Sequence, residues 1–329
     1  MFKFILKRLL LSLMILFFVM FLVYGLMYSL PASYPEKRAR EMSQKAGQTK
    51  SYEQLLEEMN ERTGMNRGLV GGYFHWLGST LRGDFGDSWQ WTVSCVSVFK
   101  SRIWYTFWLN VVVYFIEILI AIPLGILAAR KQYSAIDYGV TVFALIGISM
   151  PSFFVATCLK LLFGILIPIL PMFGMQSKNY HKMTELQQFF DVAKHFVLPC
   201  ITLITVGMGD LMRYTRTNTL EVLNADYIRT ARAKGLPERR VINYHAFRNT
   251  LIPIVTILGG MLPGLFSGAM ITEQLFQIQG IGNAGYQAMT AGDIPFTMFY
   301  LAFSAILTLL GTLMADILYA VVDPRVRVN

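Results

Sequence analysis

Charged side chains are scarce in this sequence. They make up 15% of its 329 residues, where an ordinary soluble domain carries about 25%, too few for a normal water-facing surface. Cysteine is rarer still: Cys95, Cys158 and Cys200 lie far apart and are odd in number, which suggests neither a disulfide framework nor a metal site. The histidines at 75, 181, 195 and 245 lack metal-ligand spacing and form no H-E-x-x-H run, so no metal is expected. No G-x-x-x-x-G-K-S/T occurs, which removes any P-loop grip on ATP. No Ser-His-Asp or paired-carboxylate arrangement can be argued either. The chain reads as a non-enzyme with no cofactor of its own. At 54% hydrophobic residues and a mean hydropathy of +0.48, it is neither disordered nor a small secreted protein.

Long apolar runs stand where charge is missing. A hydrocarbon core about 30 Å thick needs roughly 20 apolar residues in a helix. Six stretches qualify: 9–30, 103–129, 138–167, 196–223, 250–272 and 296–322. Glu117 interrupts the second, the third runs through Pro151 and Lys160, and Asp210, Arg213 and Arg216 lie in the second half of the fourth. Lys3, Lys7 and Arg8 make the start resemble a signal peptide, but the apolar run is too long and no A-x-A site follows. It is read as a retained anchor with its N-terminus in the cytoplasm. On that orientation the inner segments hold Lys3, Lys7, Arg8, Arg130, Lys131, Arg229, Arg232, Lys234, Arg239, Arg240, Arg248, Arg325 and Arg327. The short outer loops, 168–195 and 273–295, hold only Lys178, Lys182 and Lys194. This is the positive-inside pattern. It gives the net charge of +9 a topological cause and leaves no reason to invoke nucleic acid. The expectation is an all-α integral membrane protein of six transmembrane helices with both termini cytoplasmic. Residues 1–30 form the N-terminal start and first transmembrane helix, 31–102 an extracytoplasmic loop, and 103–329 a core of five transmembrane helices.

Two loops carry most of the remaining information. In the first, 36–62 mixes Glu, Lys, Arg and Gln and reads as a solvated helix or helix pair, while 64–86 is rich in glycine and aromatics. The other loop, between the fourth and fifth stretches, is rich in Ala, Arg and Lys over 225–234, which favours a helix. Gly235 then sits where a helix C-terminus takes a left-handed residue, and Pro237 suits the first turn of the next helix. A rigid helix with a sharp glycine corner at the cytoplasmic surface is suited to receiving a push from a soluble partner.

These residues resemble a family. The run Tyr227-Ile228-Arg229-Thr230-Ala231-Arg232-Ala233-Lys234-Gly235-Leu236, followed by His245-Ala246-Phe247-Arg248-Asn249 and Pro253, is similar to the "EAA" loop of binding-protein-dependent ABC importer permeases. Further matches point to the dipeptide/oligopeptide/nickel branch and its B-type subunit. They are the start Phe2-Lys3-Phe4-Ile5-Leu6-Lys7-Arg8-Leu9-Leu10, the outer Tyr73-Phe74-His75-Trp76-Leu77 and Gly83-Asp84-Phe85-Gly86-Asp87-Ser88, Glu273-Gln274-Leu275-Phe276 with Gly280-Ile281-Gly282, and the tail Asp316-Ile317-Leu318-Tyr319 with Asp323-Pro324-Arg325-Val326-Arg327. Arg229 stands where the general loop has Glu, Gln279 where the outer turn has Pro, and Leu30-Pro31-Ala32-Ser33 where P-G-D-P is common.

The resemblance implies a type I ABC importer permease fold in a bacterial or archaeal cell membrane. The chain would form half of a pore completed by a second, C-type permease. Two ABC ATPases that bind ATP and Mg would dock on the coupling loop, 224–248, and an extracytoplasmic binding protein would deliver cargo. Peptides are the implied cargo, with nickel chelates, glutathione, haem and oligosaccharides as alternatives in the branch. The implied ATPase-coupling residues are Asp226, Tyr227, Arg229, Thr230, Ala231, Arg232, Ala233, Lys234, Gly235, Leu236, Pro237 and Arg239. Glu273, Phe276, Gly280 and Gly282 are the implied outer gate and binding-protein contact.

Charges inside spans are functional candidates by default. Glu117, with Asn110 seven residues earlier, is a candidate for the translocation path, joined by Met208, Gly264 and Gly268; a helix–helix hydrogen bond is the plainer reading of Glu117. Lys160 reads as snorkelling outward, and Asp210, Arg213 and Arg216 as an ion-pair cluster. Gly260, Gly264 and Gly268 form a G-x-x-x-G stripe suited to close helix packing. Gly280-Ile281-Gly282-Asn283-Ala284-Gly285 matches the dinucleotide fingerprint, but that mechanism needs a βαβ context, so these are read as turn glycines. Two rivals from other classes stay open: an ion-coupled secondary transporter using Glu117, and a membrane anchor whose business is the 31–102 loop.

Overall fold

The computed structural model describes residues 2–29, 34–44, 50–63, 67–237 and 240–322. Within them the apolar stretches become helices. In chain order these are α1 (Phe2–Tyr28), α2 (Tyr34–Ser43), α3 (Tyr52–Thr63), α4 (Gly68–Leu81), α5 (Cys95–Arg130), α6 (Ala135–Ser149) and α7 (Ser152–Lys160). They continue with α8 (Glu185–Leu223), α9 (Asp226–Ala233), α10 (Phe247–Met261), α11 (Gly264–Ser267), α12 (Met270–Phe276), α13 (Ile281–Ala291) and α14 (Ile294–Val322). Among the described residues no strand forms, and Asp87 and Ser94 make an isolated antiparallel bridge.

Among the described residues four helices, α1, α5, α8 and α14, are long and apolar enough to cross a membrane, and α6 with α7 makes a fifth if the bent pair is one span. Their outward faces are apolar: Leu10, Leu22, Phe115 and Leu119 are about 60% exposed, an arrangement suited to lipid and unsuited to water. Two expected spans are not single helices. The 138–167 stretch bends by 102° between α6 and α7, because Pro151 bars its predecessor from helical backbone and Met150 turns extended at φ −88°, ψ 125°. The 250–272 stretch breaks at Leu262-Pro263 and again at Gly268, whose φ is +83°. The three glycines of the expected stripe therefore share no helix face: Gly260 faces open space, Gly264 lies under Tyr114, and Gly268 makes a turn.

The chain divides into two compact units, residues 1–104 with 284–310, and 105–283 with 311–329. The first is held by aromatics. Tyr73 of α4 is fully buried against α1, its hydroxyl donating to the Phe17 carbonyl at 2.8 Å and its ring meeting Phe17, Phe21 and Tyr24. Asp293, 1% exposed, is the polar tie of this unit: it accepts from the Ser88 hydroxyl and from the backbone N–H groups of Gln90 and Phe296.

The second unit is organised around α8, which two neighbours approach at backbone distance. A Cβ on Gly147 of α6 would run into the Thr205 carbonyl, one on Gly209 into that of Ala144, and one on Gly125 would lie 2.8 Å from that of Met212. Carbonyls on a helix cannot rotate away, so these sites admit glycine alone. Gly147→Val and Gly209→Val are each expected to destabilise by about 1–3 kcal/mol through overpacking. Thermal unfolding in detergent should show this as a lowered melting temperature, with Gly260→Val much milder because its site is open. Equal melting of all three variants would refute the close crossing.

Candidate functional site: a polar cavity, a buried carboxylate turn and a basic loop

Asn110, Val113, Tyr114 and Glu117 recur at i, i+3, i+4 and i+7 on α5 and so share one face. With Leu203, Val206 and Gly207 of α8 and the broken segment at Met261, Gly264 and Ser267 to Ala269, they line a cavity of about 350 Å³. Two glycines make the room. A Cβ on Gly207 would overlap the Glu117 carboxylate, and one on Gly264 the Tyr114 hydroxyl. Asn110 pins the break in place, its Nδ2 donating to the Gly264 carbonyl at 2.9 Å. Glu117 is 2% exposed, and its Oε2 has no hydrogen-bond partner among the described residues.

Of the five residues expected along a path, Asn110, Glu117, Gly264 and Gly268 line this cavity. Met208 does not. It follows Gly207 by one residue and so points about 100° away around α8, into the core with Leu198, Ile204 and Met212. Tyr114 and Gly207 were not foreseen. The Asn110–Glu117 spacing already contained Tyr114, whereas nothing local marks Gly207.

A second constellation surrounds Glu273, which is fully buried. Its Oε1 accepts from the Thr106 hydroxyl at 2.8 Å and Ala269 N at 3.3 Å, and its Oε2 from Asn283 N at 2.8 Å. The glycines here are needed for space: neither Gly280 nor Gly282 has positive φ, but a Cβ on Gly280 would strike the Glu273 carboxylate and one on Gly282 would lie 2.9 Å from Met270 N. Phe276 is 1% exposed. Glu273 and Phe276 thus shape the turn from inside, and the surface available to a partner belongs to Gln277 and Gln279, both exposed.

The basic loop is built as its sequence suggests. On α9, Ile228 and Ala231 are buried with Val222, Leu223, Leu236, Val241 and Ala246. Gly235, at φ +74°, ends it. Its N–H donates to Arg232 O at 2.9 Å while Leu236 N donates to Ala231 O at 3.4 Å, the paired bonds of a Schellman motif with its usual apolar contact. The Pro237 carbonyl accepts from Arg240 N and Val241 N at 2.8 and 3.1 Å, starting the turn that leads into α10. Asp226, Tyr227, Arg229, Thr230, Arg232, Ala233, Lys234 and Pro237 are exposed; the Arg229–Asp226 contact of 3.6 Å is solvated on both sides and worth little. Arg239 lies outside the described residues, as do the tail after Val322 and the side chains of His245, Arg248, Asn249 and Asp316.

Two expected charge readings change. Arg213 and Asp210 are 4.0 Å apart and largely exposed, while Arg216 pairs through two nitrogens, at 2.5 and 2.8 Å, with the buried Asp137 of α6. Lys160 does not snorkel freely. It donates to the Leu275 carbonyl at the end of α12 and lies 4.1 Å over the Phe173 ring and 5.0 Å over Phe276, a half-buried cation–π arrangement.

Residues 121–328 match the family described as the binding-protein-dependent transport system inner membrane component, and residues 1–101 match the N-terminal part of such components. The chain belongs to this family. It is 39% identical over 272 residues to the oligopeptide transport system permease protein AppB of Bacillus subtilis, covering 82% of this chain and 84% of that one. It is 34% identical over 292 residues to the dipeptide transport system permease protein DppB of Escherichia coli, covering 84% and 85%. The di/tripeptide transport system permease protein DppB of Pseudomonas aeruginosa is 32% identical over 296 residues, covering 83% and 85%. The chain is therefore an ABC importer permease of the dipeptide/oligopeptide branch, a multi-pass subunit of a multi-component importer in the bacterial cytoplasmic membrane, and not itself an enzyme.

Proposed function

We propose that this chain is one half of the translocation pore of an ATP-driven importer for di- and oligopeptides. The observation that carries the reading is α9: a helix fastened by Ile228 and Ala231 on one side, cornered by Gly235, and exposed on its basic side. In this reading the broken 247–276 segment completes six spans, both termini and α9 lie on the cytoplasmic side, and 31–102 lies outside. A C-type permease supplies the other half of the pore. Two ATPases, which hold ATP and Mg, grip residues 226–239, and a binding protein delivers cargo to the outer turn. Closure of the ATPases around nucleotide drives the coupling helices together and biases the pore between inward- and outward-facing states. The cavity at Glu117 belongs to the path. Peptide cargo is taken from the relatives' names; nickel chelates, glutathione, haem or oligosaccharides would show instead as ligands co-purifying with the cognate binding protein.

The buried carboxylate at the cavity favours one second reading, an ion-coupled carrier. Peptide uptake in cells depleted of ATP with the proton gradient intact separates the two. Uptake is expected to stop, and persistence would end the ABC reading.

A further inference from the structure

We propose that Glu117 is the point at which the pore binds a primary ammonium group, the α-amino terminus of a peptide in transit. This deepens the peptide-importer reading and rests on it. The Glu117 side chain is 2% exposed, and its Oε2 has no partner among the described residues. An ionised carboxylate in that state is strongly unfavourable unless a proton or cation joins it, and no Lys, Arg or His lines the cavity. The missing partner therefore has to arrive from outside the wall. The space fits: about 350 Å³ is within the range of small-molecule sites, roughly 300–1,000 Å³.

The wall chemistry selects among cations. A divalent metal wants about six or more oxygen ligands, whereas this lining offers one carboxylate, and no cluster of three or more His, Cys, Asp or Glu occurs among the described residues. A primary ammonium is a compact charge with three donors. Around the Glu117 carboxylate the same cavity presents Tyr114, whose hydroxyl lies over Gly264, and the backbone break at Gly264 to Ala269. Val113, Leu203, Val206 and Met261 make the rest of the lining apolar, suited to peptide side chains of many kinds and selective for none. The site recognises the one cation that every unblocked peptide shares. Gly207 belongs to the device, since a Cβ there would displace the carboxylate.

The test is equilibrium binding of trialanine and N-acetyl-trialanine to the assembled importer in lipid nanodiscs without its binding protein. Trialanine has no side-chain amine, so any preference reports the terminus. The wild type is expected to prefer the free amine by on the order of 30-fold, the low end for loss of one partner of a buried charge pair. Glu117→Gln, which keeps the volume, should lose that preference and leave the acetylated peptide unaffected. An equal loss for both peptides would assign Glu117 a structural part. Equal wild-type affinity for the two, or no binding of trialanine, would overturn the ammonium site. Uptake into proteoliposomes with the binding protein present reports separately on the cargo: transport of peptides with no free-amine preference at Glu117 sinks the site alone, whereas ATP hydrolysis without uptake of any peptide sinks the peptide reading.

Discussion

Glu273→Ala is expected to yield little folded protein. The substitution strips the acceptor from Thr106, Ala269 N and Asn283 N at once, and Thr106 and Asn283 are buried. Each buried donor left unmatched costs about 1–3 kcal/mol, and the total net stability of a protein is only about 5–15 kcal/mol. The damage spreads, because Thr106 also accepts from Ile281 N at 2.8 Å, so the start of α13 loosens with the turn. Glu273→Gln should be intermediate: it fills the same volume and keeps one acceptor oxygen, but sets an NH2 group against a donor. Fluorescence-detected size exclusion after expression, followed by thermal unfolding in detergent, gives the order wild type, Gln, Ala. An alanine variant that melts with the wild type would show that the turn is held by something other than this carboxylate.

Gly235→Val should do the opposite, sparing the fold and damaging the work. Nothing lies within 4 Å of a Cβ at Gly235, so no neighbour is displaced and membrane insertion should be normal. The penalty is in the backbone alone. At φ +74° a side chain adds roughly 1–2 kcal/mol of strain, most for a β-branched residue. Relief requires the corner to open, which breaks the two Schellman bonds and re-aims α9. If ATPases dock there, the docking-competent geometry falls by about 5- to 30-fold, and uptake falls while ATP hydrolysis continues uncoupled. Gly235→Asn should retain most coupling, since Asn tolerates left-handed backbone. Normal uptake together with normal substrate-stimulated ATPase in Gly235→Val would sink the coupling role.

These two sites also mark how far the chain could be read without its structure. The Gly235 corner was legible because every contact it needs lies within six residues: a run of helix formers, a glycine, an apolar residue and a proline. The Asn110–Glu117 face was legible for the same reason, the 3.6-residue period. The 138–167 and 250–272 stretches, read as spans by length, are not single helices because apolar length counts hydrophobicity and ignores backbone. Pro151 and Pro263 stand at those breaks, where each removes a backbone N–H, whereas Pro123 and Pro199 are carried inside the unbroken α5 and α8, so a proline in the sequence does not by itself mark a break. Met208, also expected along the path, packs in the core beside the cavity, since on a helix the neighbour of a cavity-facing position belongs to another face.

A lipid-embedded helical chain was legible in the one-dimensional distribution of apolar and charged residues, its likeness to permeases in short motifs such as the 227–236 run, and the Gly235 corner in local backbone chemistry. Partnership was not. Thr106 reaches Glu273 across 167 residues and Arg216 reaches Asp137 across 79, and no spacing rule connects positions that far apart. The same holds for Glu117: its sequence shows an isolated charge in an apolar run, and only the packing of α5 against α8 and the broken 262–269 segment, close enough to demand glycine at 207 and 264, leaves that charge buried, unpaired and facing a cavity. A lone carboxylate in a helix is a residue; its meaning comes from what the fold withholds from it.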